Sequence, residues 1–254
     1  MKIQLIRNAT LLVEYGGIHF LVDPMLSEKG TLPTFPNSLR KDDSPNPLVE
    51  LPVSVQEILH QIDAVFLSHL HVDHWDTAAI EALPKSLKIF VQDDQDLNQV
   101  ISAGFQDVEV LTENTTFKEI RLSKTKAQHG RGEVLKMAGN VAGLVLKHLG
   151  EKTLYIAADT VWFEGVQQAI DQHGPDVIVV NGGDNQFAQG GSLVMGKDDI
   201  KQVYKAGPKA TLIVVHMEAV NHYTLTRAAL DQFLVEQNMA DRVLVPADGQ
   251  SYTL

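Results

Sequence analysis

The chain has 254 residues, of which 44% are hydrophobic and 21% charged, and its formal net charge at pH 7 is -11. This composition excludes disordered and fibrous proteins, and the chain has no apolar run of the roughly 18 residues that a membrane span needs. Cysteine is absent, which excludes disulfides and thiolate metal ligands.

The length suits a single domain over residues 1–254. An acidic chain opposes binding to phosphodiester backbones, because that binding needs clustered lysine and arginine. We therefore expect a small-molecule partner, no nucleic-acid or membrane partner, and a cytoplasmic location. The sequence leaves a homo-oligomer open.

Three short strands are predicted at the start of the chain, over residues 2–7, 10–15 and 18–22. Gly16-Gly17 favours a hairpin turn between the second and third strands, because glycine tolerates positive φ. The third strand ends at Asp23-Pro24. Asp23 is either a simple turn residue or a carboxylate held at a strand end.

Residues 24–52 are predicted to form a long ordered loop, since they contain six of the ten prolines. Loops longer than about 15 residues inside a compact domain are usually functional. This segment is therefore either the wall or lid of a pocket, or a plain surface excursion.

A histidine-rich stretch follows the apolar run 64–67, which is itself preceded by a predicted helix with a Ser54/Glu57 capping box. The stretch reads Ser68-His69-Leu70-His71-Val72-Asp73-His74-Trp75. Imidazole and carboxylate ligands suit zinc, manganese or iron better than calcium or magnesium. The alternative is a solvated, histidine-rich surface turn.

Strands and helices alternate through the rest of the chain, which predicts helices packed over a sheet. The expected strands are 87–91, 108–111, 117–122, 141–147, 153–157, 176–180, 211–215, 243–245 and 251–253. Helices are expected after Asp76, around residues 97–101, 162–170 and 200–204, and from about residue 225 onward.

Polar residues stand at the ends of four apolar runs: Asp23, His69, Asp159 and His216. Four such strand ends indicate one shared edge of the sheet and a site there. Other interpretations exist for single residues. His129 could be a surface residue, Asp159 or Thr160 could cap the next helix, and His222 could be structural.

The pattern H-x-H-x-D-H formed by His69, His71, Asp73 and His74 resembles the metallo-β-lactamase superfamily. The resemblance covers nearly the whole chain and implies an α/β fold, an αββα four-layer sandwich of two mixed sheets flanked by helices. It also implies two divalent metal ions, zinc or manganese with iron as a further option. The implied ligands are His69, His71 and His129 for one ion, and Asp73, His74 and His216 for the other, with Asp159 bridging.

Two such ions would make hydroxide available at neutral pH, with Asp73 and Asp159 as catalytic residues. By the resemblance, Asp73 orients the nucleophile and collects a proton, and Asp23 supports the histidine-rich loop through hydrogen bonds. Asn8 and His222 are further candidates near the metals or the substrate.

Within the superfamily, residues 8–17, 23–26 and 216–222 resemble the branch that includes ascorbate-phosphate lactonase. This predicts a hydrolase of a small-molecule lactone, ester or phosphoester. One alternative is a phosphodiesterase acting on nucleotides or lipid head groups. Another is a metal-binding sensor or scaffold without catalysis.

Overall fold

A computed structural model describes residues 1–254. The first half of the chain contains β1 (Lys2–Arg7), β2 (Thr10–Tyr15), β3 (Ile18–Val22), α1 (Val55–Leu59), β4 (Ala64–Phe66), α2 (Thr77–Ala82), β5 (Lys88–Val91), α3 (Asp94–Ser102) and β6 (Asp107–Val110). The second half contains β7 (Thr115–Phe117), β8 (Ile120–Lys126), α4 (Val134–Ala138), β9 (Ala142–Lys147), β10 (Leu154–Ile156), α5 (Glu164–His173), β11 (Val177–Asn181), α6 (Lys197–Ala206), β12 (Thr211–Val215), α7 (Arg227–Glu236), β13 (Val243–Leu244) and β14 (Ser251–Thr253).

The strands form two seven-stranded sheets of matching design. The first has the order β14-β1-β2-β3-β4-β5-β6, and the second β13-β12-β11-β10-β9-β8-β7. In the first sheet β14 to β3 are antiparallel and β3 to β6 are parallel. The second sheet repeats this arrangement, with β7 to β10 antiparallel and β10 to β13 parallel.

The hydrophobic core lies in three layers. The two sheets pack face to face, and the largest cluster joins residues such as Phe20 and Phe66 of the first sheet to Ile156 and Ile213 of the second. A second cluster places the outer face of the second sheet against α5, α6 and α7, and a third places the first sheet against α1, α2 and α3. The expected αββα sandwich is confirmed.

Local sequence signals account for many element ends. Ser54 and Glu57 form the expected reciprocal capping box at the start of α1, and the Asp76 side chain accepts the amide of Ala79 at the start of α2. Gly16 and Gly17 both have positive φ in the β2–β3 turn. None of the seven helices has the length and apolar character needed to cross a membrane.

Two expectations about secondary structure are wrong, and one helix was missed. The single strand expected over 117–122 is a hairpin, because Lys118 and Glu119 both adopt positive φ and reverse the chain between β7 and β8. Helix α4 was not expected. The last two strands do not finish one sheet, since β13 pairs with β12 and β14 crosses to pair with β1.

The segment 24–52 contains no helix and only isolated bridges. The buried guanidinium of Arg7 holds both of its ends by donating to the carbonyl oxygens of Met25, Ser27 and Val49. Burial lowers the pKa of Arg7 to about 10, so this side chain remains charged at neutral pH. The loop is therefore anchored to the sheet below it.

Candidate metal centre

The candidate site lies on the rim where loops from the two sheets meet. The loop after β4 carries His69, His71, Asp73 and His74, while the loops after β8, β10 and β12 carry the remaining predicted ligands. Those ligands are His129, Asp159 and His216. The backbone amide of Ala142, at the start of β9, donates to the carbonyl oxygen of Ser68 and joins the two sheets at this point.

The rim backbone is unusual, because several residues other than glycine have positive φ. Asn8, Asp23, Ala158 and His216 have φ of 57°, 44°, 59° and 60°. Such residues are uncommon outside glycine and cluster at functional sites. They turn the chain sharply at the strand ends and aim polar side chains across the rim.

The seven predicted ligands form three overlapping groups. In each group, the potential ligand atoms all lie within 4.8 Å of one another. The groups are His69, His71 and His129; Asp73, His74 and His216; and His69, His74 and Asp159.

Asp159 lies at the centre of this arrangement. Its Oδ2 is 3.3 Å from Nε2 of His74, 3.5 Å from Nε2 of His129 and 3.9 Å from Nε2 of His69. Its Oδ1 is 3.7 Å from Nε2 of His216. One carboxylate therefore reaches both histidine groups, as a bridging ligand must.

These distances fit bound cations. Nitrogen and oxygen ligands lie about 2.0–2.2 Å from zinc, so two ligands of one tetrahedral ion are roughly 3.3–3.6 Å apart. Nε2 of His74 and Nε2 of His216 are 3.2 Å apart, and Nε2 of His69 is buried without any hydrogen-bond partner. Two imidazole nitrogens facing each other at this distance, beside carboxylate oxygens, form a donor set suited to a transition metal.

Hydrogen bonds away from the centre orient the histidines of the β4 loop. Asp23 accepts hydrogen bonds from the backbone amide and the hydroxyl of Ser68, both at 2.7 Å, and its Oδ2 lies 2.9 Å from Nδ1 of His74. The Ser68 hydroxyl lies 3.0 Å from Nδ1 of His69. Each Nδ1–H can donate outward, which leaves Nε2 of both rings to face the centre.

Four further contacts orient the remaining groups. His129 Nδ1 is 3.0 Å from the carbonyl oxygen of Leu193, and the Asn181 amide donates to Asp159 Oδ1 at 2.6 Å. The side-chain amide of Asn8 donates to the backbone oxygen of Asp73 at 3.0 Å. The backbone carbonyl of Asn8 accepts a hydrogen bond from the backbone amide of His216. Asn8 and Asp23 thus support the centre, and neither belongs to the three groups of potential ligands.

Charge within the centre shifts several pKa values strongly. Burial alone would raise the pKa of Asp159, but His74, His216 and His129 lower it well below its ordinary value. Burial would likewise raise the pKa of Asp73, and His74 and His216 lower it. Both carboxylates are ionised at neutral pH, as metal ligands must be.

The pKa values of His69 and His74 are shifted in opposite directions. Burial and the neighbouring His74 and His71 lower the pKa of His69, which is therefore neutral and ready to bind a metal. Burial would lower the pKa of His74 as well, but Asp159, Asp73 and Asp23 raise it well above the ordinary value. In the absence of a cation, His74 holds a proton at neutral pH.

A cavity of about 270 Å³ opens above the ligands. His71, Asp73, His129 and Asp159 lie in its lining. Two of the other lining residues, Asn185 and His222, are polar. The rest are apolar: Phe35, Val72, Val134, Met137, Ala138, Phe187 and Leu193. The segment 24–52 and helix α4 thus supply walls of the cavity.

Comparison with known proteins agrees with this geometry. The model of the beta-lactamase superfamily domain matches residues 19–217. The chain belongs to the beta-lactamase superfamily. The expectation of a metal-dependent hydrolase of this superfamily is confirmed at that level.

Three of the similar proteins match the chain over its whole length. It is 53% identical to the UPF0173 protein YddR of Bacillus subtilis (strain 168), with 100% of both chains covered. The crystal structure of isothiocyanate hydrolase from Delia radicum gut bacteria is 40% identical, with a TM-score of 0.95 and coverage of 100% of this chain and 99% of that one. A possible metal-dependent hydrolase from Veillonella parvula DSM 2008 is 37% identical, with a TM-score of 0.96 and the same coverage.

The structure brings all seven predicted ligands of this superfamily member together, and Asp159 does not cap a helix. Helix α5 begins at Glu164, with Phe163 as its N-cap. Sequence reasoning gave the side chains of Asn181, Asn185, Phe35 and Phe187 no role in the site. For Asn181 a signal was available, because it ends a buried apolar strand in the same way as the strand ends that carry Asp159 and His216.

The protonated His74 predicts that metal binding depends on pH. A metal must displace this proton, so binding at pH 7 should release about one proton, and affinity should fall as the pH is lowered. The measurement is calorimetric titration of the metal-free protein in two buffers that differ in ionisation enthalpy. An identical apparent enthalpy in both buffers would contradict the prediction.

Proposed function

We propose that this metal-dependent hydrolase holds two divalent transition-metal ions and cleaves a small, uncharged molecule at an electrophilic carbon. The observation that carries the proposal is the cavity. Its floor is formed by metal-ligand candidates and its walls are mainly apolar, and it contains no lysine or arginine.

The proposed ligands are those of the two histidine groups, with Asp159 between them. Zinc and manganese both suit this set of imidazoles and carboxylates. When bound, two such ions lower the pKa of water and supply hydroxide at neutral pH. Asp73 lies in the cavity lining and is ionised, so it can orient the attacking water and accept its proton.

The lack of cationic side chains in the cavity lining favours an uncharged substrate over an anionic one. A phosphomonoester or phosphodiester carries negative charge, and sites for it normally add lysine or arginine to the metal ions. Here the additional charges in the lining are the carboxylates of Asp73 and Asp159. Lactones and neutral esters therefore fit better than phosphoesters, nucleotides or lipid head groups.

An isothiocyanate is the first specific candidate. The solved structure that is 40% identical over the full chain is described as isothiocyanate hydrolase. The functional group is small, uncharged and electrophilic at carbon, and its organic substituent would pack on apolar walls such as Phe35, Phe187 and Met137. Addition of one water to R–N=C=S, followed by C–N cleavage, yields R–NH₂ and carbonyl sulfide.

A substrate panel tests the proposal. Metal-loaded protein would be offered an arylalkyl isothiocyanate, a neutral lactone, an aryl ester and an aryl phosphodiester. We expect turnover of at least one uncharged compound, lost on chelation and restored by zinc or manganese. The kcat/KM for the phosphodiester should be lower by about 100-fold, since its charge finds no partner in the walls.

Two outcomes would contradict the proposal. Preference for the phosphodiester would favour the phosphodiesterase alternative. Stoichiometric metal binding without turnover of any compound would favour a sensor or scaffold.

A further inference from the structure

His222 is a buried polar residue in the cavity wall and belongs to none of the three ligand groups. Its side chain is held between two aromatic rings. The Phe187 ring is stacked on it at a centroid distance of 5.6 Å, and the Phe35 ring meets it edge-on at 4.5 Å. The residue is only 6% exposed, so its orientation is fixed by packing.

The two ring nitrogens of His222 have different surroundings. Nε2 lies 3.3 Å from the amide nitrogen of Asn185, whereas Nδ1 is buried and has no hydrogen-bond partner in the protein. If the Asn185 amide donates to Nε2, the proton of the neutral ring is on Nδ1. Burial lowers the pKa of His222 to about 4, which keeps the ring neutral at pH 7.

A buried N–H without an acceptor is rare in folded proteins and calls for an explanation. No protein group satisfies Nδ1 of His222, although the ring lies in the wall of a cavity that is closed below by Asp73 and Asp159. Asp73 and Asp159 line the same cavity as the ring, which places it beside the candidate metal centre. A molecule in the cavity is therefore the available acceptor.

We propose that Nδ1–H of His222 donates a hydrogen bond to the substrate atom that gains negative charge when the carbon is attacked, and that Asn185 is a positioning residue that fixes this tautomer. The inference rests on the proposed function and assigns it a recognition group. In a lactone or ester the acceptor is the carbonyl oxygen, and in an isothiocyanate it is the sulfur or nitrogen. The hydrogen bond transfers no proton, because the neutral ring remains the donor throughout.

Replacing His222 by asparagine or glutamine tests the donor, because each side chain keeps a nitrogen at only one of the two ring-nitrogen positions. The amide nitrogen of asparagine lies near the position of Nδ1, and that of glutamine near Nε2. We expect H222Q and H222F to lower kcat by about 100-fold, the effect of losing one donor to developing charge. H222N should keep kcat within about tenfold of the wild type, and KM should change less than kcat in all three.

Metal content of each variant separates this role from a structural one, since it should stay at the wild-type value. Thermal unfolding establishes that each variant is folded, and a lower midpoint is expected wherever Nε2, the acceptor of the Asn185 amide, is lost. His148→Gln is a matched control, because Nδ1 of His148 is also buried without a partner but lies outside the cavity. It should leave kcat unchanged. Equal activity in all variants, equal losses in H222N and H222Q, or a loss of bound metal in H222Q would overturn the proposal.

The tautomer can be measured without turnover. In ¹⁵N-labelled protein, the ring-nitrogen signals of His222 are identified as those missing from the spectrum of H222N. Their chemical shifts should show a neutral ring with its proton on Nδ1 from pH 6 to pH 8. An Nε2–H form, or a charged ring, would overturn the inference. Absence of turnover on the whole substrate panel would instead overturn the proposed function, and the nitrogen shifts would still decide the tautomer.

Discussion

The substitution Asp159→Ala should abolish turnover and reduce the bound metal to one equivalent or fewer. Asp159 is the one carboxylate whose two oxygens approach both histidine groups, at 3.3–3.9 Å from four imidazole nitrogens. Its removal would leave each of the two proposed ions one ligand short, and four histidines would face each other without this carboxylate between them. We expect kcat/KM to fall by more than about 1000-fold, since metal activation of water supplies several kcal/mol.

The measurement is elemental mass spectrometry beside kinetics on the best uncharged substrate. Asp171→Ala, which removes an exposed carboxylate on α5, is the control and should match the wild type in both. Circular dichroism would establish that the Asp159 variant is folded. Full metal content together with full activity in that variant would contradict the proposal that Asp159 is the bridging ligand.

Replacement of Asp23 should weaken metal binding although the residue is not in a ligand group. Its carboxylate accepts from Ser68 twice and lies 2.9 Å from Nδ1 of His74, so Asp23→Ala leaves three buried donors without an acceptor. Loss of such an outer partner typically costs about 10- to 100-fold in metal affinity. Unsatisfied buried donors should also reduce the free energy of unfolding by about 3 kcal/mol.

Competition titration against a chelator would measure the affinity, and denaturant unfolding the stability. Asp63→Ala is a matched control, because Asp63 also accepts a backbone amide and a side-chain donor, from His19 and Lys118. That variant can lose stability but should keep the metal affinity of the wild type. An unchanged affinity in Asp23→Ala would show that His74 is oriented by packing alone.

Sequence reasoning located several strands well, because apolar and alternating runs between turn residues are typical of strands. β1, β2, β3, β12 and β14 begin and end at the predicted residues. Polar residues at strand ends pointed to His69, Asp159 and His216, because a histidine or aspartate directly after an apolar run has no role in the core. The role of His129, by contrast, followed only from the family resemblance. The spacing of His69, His71, Asp73 and His74 then fixed which family to expect.

The partners of the ligands could not be predicted in the same way. Leu193 accepts from His129 through its backbone, and any residue type could supply that carbonyl oxygen. Asn181 and Asp159 meet only because their strands are neighbours in the second sheet. The turn at Lys118 and Glu119 has neither glycine nor asparagine, so no local signal marks its positive φ.

The walls and the floor of the cavity come from separate parts of the chain. Phe35 belongs to the segment 24–52, and Val134, Met137 and Ala138 belong to α4, neither of which contributes a candidate ligand. Insertions and side-chain changes in these two segments can reshape the space above the candidate ligands while those ligands stay in place. Substrate preference can thus diverge among related proteins while the catalytic residues are unchanged. Exchanging these two segments between relatives is therefore a direct way to alter specificity.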